Sequence, residues 1–332
     1  MLMMKRNKLL VSAGALALAF GALLLPIQPA TPATTSPPAP PPPPKPPALD
    51  LSSFSDANPE QPVDLLFIHH SVGGQLLTDS GPGKELIPDT NIYVNHPNGG
   101  GLRRKLEAAS YKVHEAAYKS AVGDKTDLFD WLPKFRGQMD QVLRVAMHDE
   151  MLPEGMKNRV VMFKSCYPNN RFRTMGDAPG NPDGPDLTVW NAKASFQALL
   201  PEFAKQKDTL FVYLTAPANV LKNPKVRLWK HLAKRALGKP TDAEIAVDQA
   251  ALAREFNGWI RSPEGWLKDY PEKNVVVFDF YDVLTDGGSS NFSQYGSEGG
   301  TDNHPSSQGN ERAAVEFVPF LNRAARRAGI IP

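Results

Sequence analysis

Four short, almost unbroken apolar runs constrain this chain more than any other feature: Val63 to Ile68, Arg159 to Phe163, Thr209 to Leu214 and Asn274 to Phe280. A strand with one wet face alternates apolar and polar residues, whereas a strand covered on both faces has no polar side to show. The runs therefore read as parallel strands buried from both sides, and Lys112 to Tyr118 joins them as a fifth. Between them lie segments with helical spacing: Leu102 to Ala109, Trp131 to His148, Leu187 to Lys205, and Ala243 to Trp266, which Ser262-Pro263 can break. A last one, Gln308 to Ala328, is apolar at Ala313, Ala314, Phe317, Phe320, Leu321 and Ala324. Strand and helix in alternation predict a three-layer, doubly wound α/β sandwich of the flavodoxin-like kind. Its sheet is expected to be mainly parallel and five-stranded, with helices on both faces. Ligands of such folds bind beyond the carboxyl ends of the strands, so chemistry is sought there.

After the first run comes His69-His70-Ser71-Val72-Gly73-Gly74. A serine just past a buried strand, followed by glycines and a helix start, exposes its hydroxyl at the sheet edge beside unpaired N–H groups. The same residues also suit a plain helix N-cap with a tight turn. The run Lys112 to Tyr118 leads into Ser120-Ala121-Val122-Gly123-Asp124-Lys125-Thr126-Asp127, and Arg159 to Phe163 into Lys164-Ser165-Cys166-Tyr167-Pro168-Asn169-Asn170. A side-chain amide there can donate to an oxyanion or simply close a Pro-Asn turn. Thr301-Asp302-Asn303-His304-Pro305-Ser306 runs into the last helix, where a histidine can swing to the sheet edge as a general base.

Taken in order, HHSVGGQLL, VGDKTDLFDW, FKSCYPNN and TDNHPSSQGN resemble the blocks of the SGNH/GDSL hydrolase superfamily, as a divergent exported bacterial branch. The resemblance runs from Val63 to Ala328. It implies Ser71 as nucleophile and backbone oxyanion donor, Gly123 as a second N–H, Asn169 as a side-chain donor and His304 as base. A hydroxyl is a poor nucleophile until a base takes its proton, and the tetrahedral oxyanion needs preorganised donors. Three departures stand out. His69-His70 replaces the family's Gly-Asp pair before the serine. The acid expected three residues before the histidine is missing, because Thr301 holds that place. Asp302, two before, is left to orient His304 unless a backbone carbonyl does. Finally, Pro168-Asn169-Asn170 offers two amides, with Asn169 the first choice and Asn170 the reserve.

Other groups read as structural. His114, His148 and His231 lie in strand or helix contexts. His96 sits in a Gly-rich loop that can line a pocket, and one of His69 and His70 must point into the sheet. His69, His70 and His304 have no acid or cysteine placed with them, so no metal is expected, nor any other cofactor. Asp279 and Asp282 read as turn caps and Cys166, the only cysteine, as a packed thiol.

The chain of 332 residues opens with Lys5, Arg6 and Lys8, then an apolar run from Leu9 to Leu25 and small residues offering cleavage at Ala30 or Ala33. Residues 1–33 thus read as a secretory leader or, if uncleaved, a membrane anchor. Residues 34–49 are a Pro-rich spacer that prefers extended polyproline II, and 50–332 the hydrolase-like domain. This places the domain in the periplasm, outside the cell or on its envelope. The formal charge is +2 for the whole chain and −1 without the three leader cations. Near neutrality gives no reason to expect nucleic acid as a partner, or a membrane other than through the anchor. The expected partner is a small-molecule or polysaccharide ester. Trp131, Tyr167 and Trp190 supply aromatic surface near the loops for a carbohydrate. The reading is a serine esterase acting on acyl, chiefly acetyl, esters. The alternatives are a cell-envelope polysaccharide acyltransferase and a non-catalytic binding module.

Overall fold

The computed structural model describes residues 47–221, 234 and 236–332. The expected leader, nearly all of the Pro-rich spacer, and His231 lie outside the described residues. Strand β1 (Val63–Ile68) shows how an unbroken apolar run is used. Its Leu65 and Phe67 enter one buried cluster, and Leu66 and Ile68 enter another on the opposite face. The same division holds for β5 (Val160–Lys164), β6 (Leu210–Leu214) and β7 (Val275–Phe278). Apolar side chains of these strands find apolar cover on both faces, which is why little polar alternation appears in their sequence.

With β2 (Tyr111–Ala116), these strands form a parallel core in the order β2-β1-β5-β6-β7. That is the flavodoxin-like order, and its switch point lies between β1 and β5. The sheet has seven strands, however, where five were expected. Beyond β2 lie β3 (Val145–Met147) and β4 (Glu150–Met151), the last antiparallel. The expected helix from Trp131 to His148 therefore ends early, as α3 (Trp131–Arg144). Val145-Ala146-Met147 pairs with the open edge of β2, and His148 turns the chain back at φ 57°. A short apolar stretch carries no period that separates strand from helix, and here the free sheet edge decides.

Helices α1 (Ser71–Leu77), α2 (Leu102–Ala108) and α6 (Ser307–Arg327) cover one face. The other face takes α3, α4 (Val189–Ala204) and α5 (Asp242–Arg261). The caps follow ordinary chemistry. Thr241 and Glu244 close a reciprocal capping box at the start of α5, and Ser306 accepts the Gly309 N–H at the start of α6. Helix α5 stops at Arg261, where Ser262-Pro263 was expected to break it. Under the second face, Phe135 meets Phe163, Phe203 and Phe211 edge-on at 5.0, 4.9 and 5.8 Å. Truncating one such ring costs about 3–5 kcal/mol, so this layer fixes the sheet rigidly. A small three-stranded sheet, Asp79–Ser80, Glu85–Leu86 and Tyr93–His96, fills the connection from α1 to α2. The Gly-rich loop around His96 is thus partly ordered as sheet. No helix of the described residues is long and apolar enough to cross a membrane.

Candidate active site

Ser71 owes its position to the end of β1. His70 is extended (φ −112°, ψ −161°) and Ser71 opens α1. Its N–H has no partner among the described residues, as befits the first turn of a helix. Helix α1 comes this close to the strand end because its first turn ends on two glycines. A Cβ on Gly73 would collide with His69 Cβ, and one on Gly74 would lie 2.7 Å from Tyr93 Cδ2.

His304 arrives from the far end of the chain. The segment Asp302–Pro305 is extended and bridges back to Gly296 and Ser297, just before Ser306 caps α6. In extended chain, residues i and i+2 face the same way. Asp302 and His304 therefore share one side, and Asn303 points to the other, where its Oδ1 accepts the Val220 N–H at 2.9 Å. The Ser71 hydroxyl donates to His304 Nε2 at 3.1 Å, and His304 Nδ1–H donates to Asp302 Oδ2 at 2.7 Å. The acid two residues before the histidine thus reaches the imidazole directly. Asp302 also accepts the Asn303 N–H at 2.8 Å and the Ser297 hydroxyl at 3.3 Å. Partial burial works to raise its pKa, but hydrogen bonding and charge from His304, with backbone N–H groups, hold it below the ordinary aspartate value.

Of the donor candidates, the structure brings Asn169 and Asn170 to the end of β5 and commits them differently. The Asn170 amide donates both hydrogens, to the carbonyls of Ala216 and Pro217, and accepts from Asn257. Its role is structural. Asn169 Oδ1 accepts the Leu128 N–H at 2.7 Å, which fixes which end of the amide is nitrogen. Its Nδ2 gives one hydrogen to Asp127 at 2.7 Å and keeps one to offer. Gly123 departs from expectation: its N–H donates to Ser120 Oγ at 2.8 Å and so is not open to an oxyanion. What Gly123 offers is its carbonyl, which accepts His70 Nε2–H at 3.1 Å. It must be glycine, since a Cβ there would strike the Ala117 backbone.

The adjacent histidines divide their duties. His69 is fully buried, with Nδ1 on the His70 carbonyl and Nε2 on Glu115 Oε1, both at 2.8 Å. His70 stacks on Tyr118 at 3.4 Å between ring centroids, and burial pushes its pKa down to about 3. His114 is tied to Asp64 and the Ala146 carbonyl, and His148 sits in a turn. His69, His70 and His304 each bond different partners, and no cluster among the described residues is suited to a metal. Burial first, then the charges of Lys84 and His304, push the His96 pKa down, which puts it within electrostatic reach of His304. Asp279 caps the short helix after β7, Asp282 pairs with Arg254, and Cys166 is buried.

Only one of the three aromatics expected near the loops is at the site. Tyr167 meets His304 edge-on at 5.2 Å. Trp131 is a core residue bonded to Ser165, and Trp190 lies at the start of α4 under Lys193. In their place stand Tyr93 against Gly74 and Tyr118 against His70, both half-buried. Sequence reasoning also passed over Glu115 and Asp127. The signal for Glu115 was an acid inside a buried strand; Asp127 lay in the very block that carries Gly123.

No family model and no curated protein matches the chain. Among solved structures, it is similar to a carbohydrate esterase family 2 enzyme with its carbohydrate-binding domain from Corynascus thermopiles (Myceliophthora fergusii). The identity is 14%, over 82% of this chain and 68% of that one, with a TM-score of 0.37. It is also similar to an acetyl xylan esterase from the rumen bacterium Butyrivibrio proteoclasticus, at 11% identity over 82% of this chain and 66% of that one, with a TM-score of 0.36. The chain spans about two thirds of the length of either enzyme.

Proposed function

We propose that this chain is a serine esterase of the SGNH/GDSL kind, acting outside the cytoplasm on short acyl esters, acetyl esters above all, of a carbohydrate. The observation that carries the reading is the relay Ser71–His304–Asp302, with hydrogen bonds of 3.1 and 2.7 Å at the switch point of a doubly wound sheet. His304 Nε2 takes the Ser71 proton as Oγ attacks the ester carbonyl, and the C=O pair moves onto oxygen. The Ser71 N–H and the remaining Asn169 Nδ2–H receive that oxyanion, each such donor being worth about 3 kcal/mol. Collapse breaks the bond to the alcohol, which leaves with the proton from His304, and acyl-Ser71 remains. Water then repeats the steps and releases the carboxylic acid. Asp302 holds the imidazole in the tautomer that leaves Nε2 free to accept, and steadies the imidazolium.

Support for a sugar alcohol comes from the half-buried rings of Tyr93, Tyr118 and Tyr167, which join a flat apolar face to a polar hydroxyl. Export rests on the leader read from the sequence. The test compares the purified full chain with Ser71→Ala on p-nitrophenyl acetate, alongside labelling by a serine-reactive phosphonate. Turnover and labelling, both abolished in the variant, are expected. A folded wild type that neither hydrolyses nor labels rules the esterase out and favours a binding module. Labelling with turnover only when a sugar acceptor is supplied points to the acyltransferase.

A further inference from the structure

Beneath the nucleophile lies a buried charged chain that the relay does not use. Arg103, on α2, reaches through the α1 side of the sheet and donates to the Val113 carbonyl at 3.0 Å and to Glu115 Oε2. Glu115, 2% exposed, also accepts from His69 Nε2. Burial alone would raise the Glu115 pKa, but His69 and Arg103 outweigh it and keep the carboxyl below its ordinary value. His69 faces an oxygen on each ring nitrogen, the Glu115 carboxyl and the His70 carbonyl. Its Nδ1–H goes to the His70 carbonyl, which also accepts the N–H groups of Gly73 at 2.9 Å and Gly74 at 3.1 Å.

That carbonyl belongs to the peptide whose N–H is Ser71's. The peptide is trans, so its N–H points opposite to its C=O. Three donors pull the oxygen inward along α1, and the N–H is thereby aimed the opposite way, out of the start of the helix. Drawing electron density from the carbonyl makes the N–H on the same amide a stronger donor.

We propose that Arg103, Glu115 and His69 are positioning residues, a buried brace that aims and polarises the Ser71 N–H as an oxyanion donor; this role rests on the esterase reading above. The brace also explains the unusual opening of the motif: His69 occupies the space under α1 that Gly73 and Gly74 leave clear. The brace lies behind the Ser71 peptide and makes no contact with the ester itself.

The experiment uses the full chain, wild type and with Glu115→Gln or Arg103→Gln. The second variant alters a side chain that reaches the surface, 27% exposed, and serves if the first does not fold. Kinetics on p-nitrophenyl acetate are expected to show kcat down about 10- to 100-fold with KM within about twofold. Affinity for a phenylboronic acid, which places a tetrahedral anion on Ser71, is expected to fall by the same factor. Unchanged kcat in both folded variants, or a loss of kcat with boronate affinity untouched, overturns the brace. Nitrogen-15 NMR decides it independently of turnover. A proton on His69 Nδ1, and a Ser71 amide proton that moves upfield in the variants, are expected. A bare Nδ1 with an unmoved amide overturns the brace even if wild type hydrolyses esters. A wild type that hydrolyses none, yet shows both signatures, overturns only the esterase reading.

Discussion

The two halves of the relay are built in opposite ways. The Ser71 corner stands on buried framework, with Phe67, His69 and Glu115 at 0, 0 and 2% exposure beneath the first turn of α1. The His304 corner is a surface loop, in which the side chains of His304 and Asp302 are 24% and 29% exposed. The loop holds its shape through a few hydrogen bonds: Asn303 to Val220, Ser297 to Asp302, and the Ser306 cap. A corner rooted in the sheet can change only where its neighbours allow. A corner made of extended loop tolerates a shifted acid, provided that acid and histidine keep the same parity along the chain. That is how Asp302 meets His304 with a single residue between them.

The largest effects are expected at the loop corner and on activity alone. His304→Ala should lower kcat by about 10⁴-fold or more, and Asp302→Asn by about 10²- to 10⁴-fold. Neither should move the unfolding free energy by more than about 1 kcal/mol, because both side chains reach solvent. Steady-state kinetics with denaturant unfolding on the same samples make the check. If Asp302→Asn kept kcat within a few-fold of wild type, a backbone carbonyl rather than the carboxylate would be orienting the imidazole.

The converse holds at the buried corner, where stability should give way. Gly73→Ala drives a methyl group into His69 Cβ, which is backbone-linked and cannot swing aside. Overpacking of this kind costs about 1–3 kcal/mol, or about 2–5 °C in Tm for a domain of this size. Ser297→Ala, which removes one bond from the loop corner, is expected to cost less than about 1 kcal/mol. Calorimetry that ranked the two the other way round would break the contrast between the corners.

The same contrast explains what could be read without coordinates. The parallel core was legible because strands covered on both faces leave an unmistakable apolar run, and Ser71 because it follows the first of them. His304 and Asp302 were legible as types of residue near a helix start. Their contact was not, since it depends on Asp302–Pro305 being extended and bridged to residues 296 and 297. The Gly123 N–H went astray because a neighbouring hydroxyl, Ser120, competes for it, and a motif does not show a competitor. Val145-Ala146-Met147 looked like more helix because nothing local announces the free edge of β2. Glu115 was hidden for the opposite reason: its partners, His69 and Arg103, are distant in sequence and meet it only across the folded sheet face.

The smallest expected effect separates the corners by pH. Burial depresses His70 to about 3, outweighing its bond to the Gly123 carbonyl, while nearby His69, Lys164 and Lys134 add to the depression. The unfolded chain protonates this ring near the ordinary histidine value, about 6.5, and the folded chain resists. Protons then bind the unfolded state preferentially, so stability is lost as pH falls from about 6.5 toward 3. Between pH 7 and 5 full burial would give about 1.5–2 kcal/mol, and allowing for partial exposure of the ring leaves about 1 kcal/mol. Asp302 acts in a different window. Its depressed carboxyl stabilises the fold above the unfolded aspartate value near 4 and loses that contribution only below it. Unfolding wild type and His70→Gln in urea at pH 7, 6 and 5 isolates the first effect, because every other titrating group cancels in the difference. The wild-type curve should fall more steeply by about 1 kcal/mol, since glutamine can still donate to Gly123 but takes up no proton. Parallel curves would mean that solvent reaches the His70 ring, and that the Ser71 corner is as wet as the His304 loop.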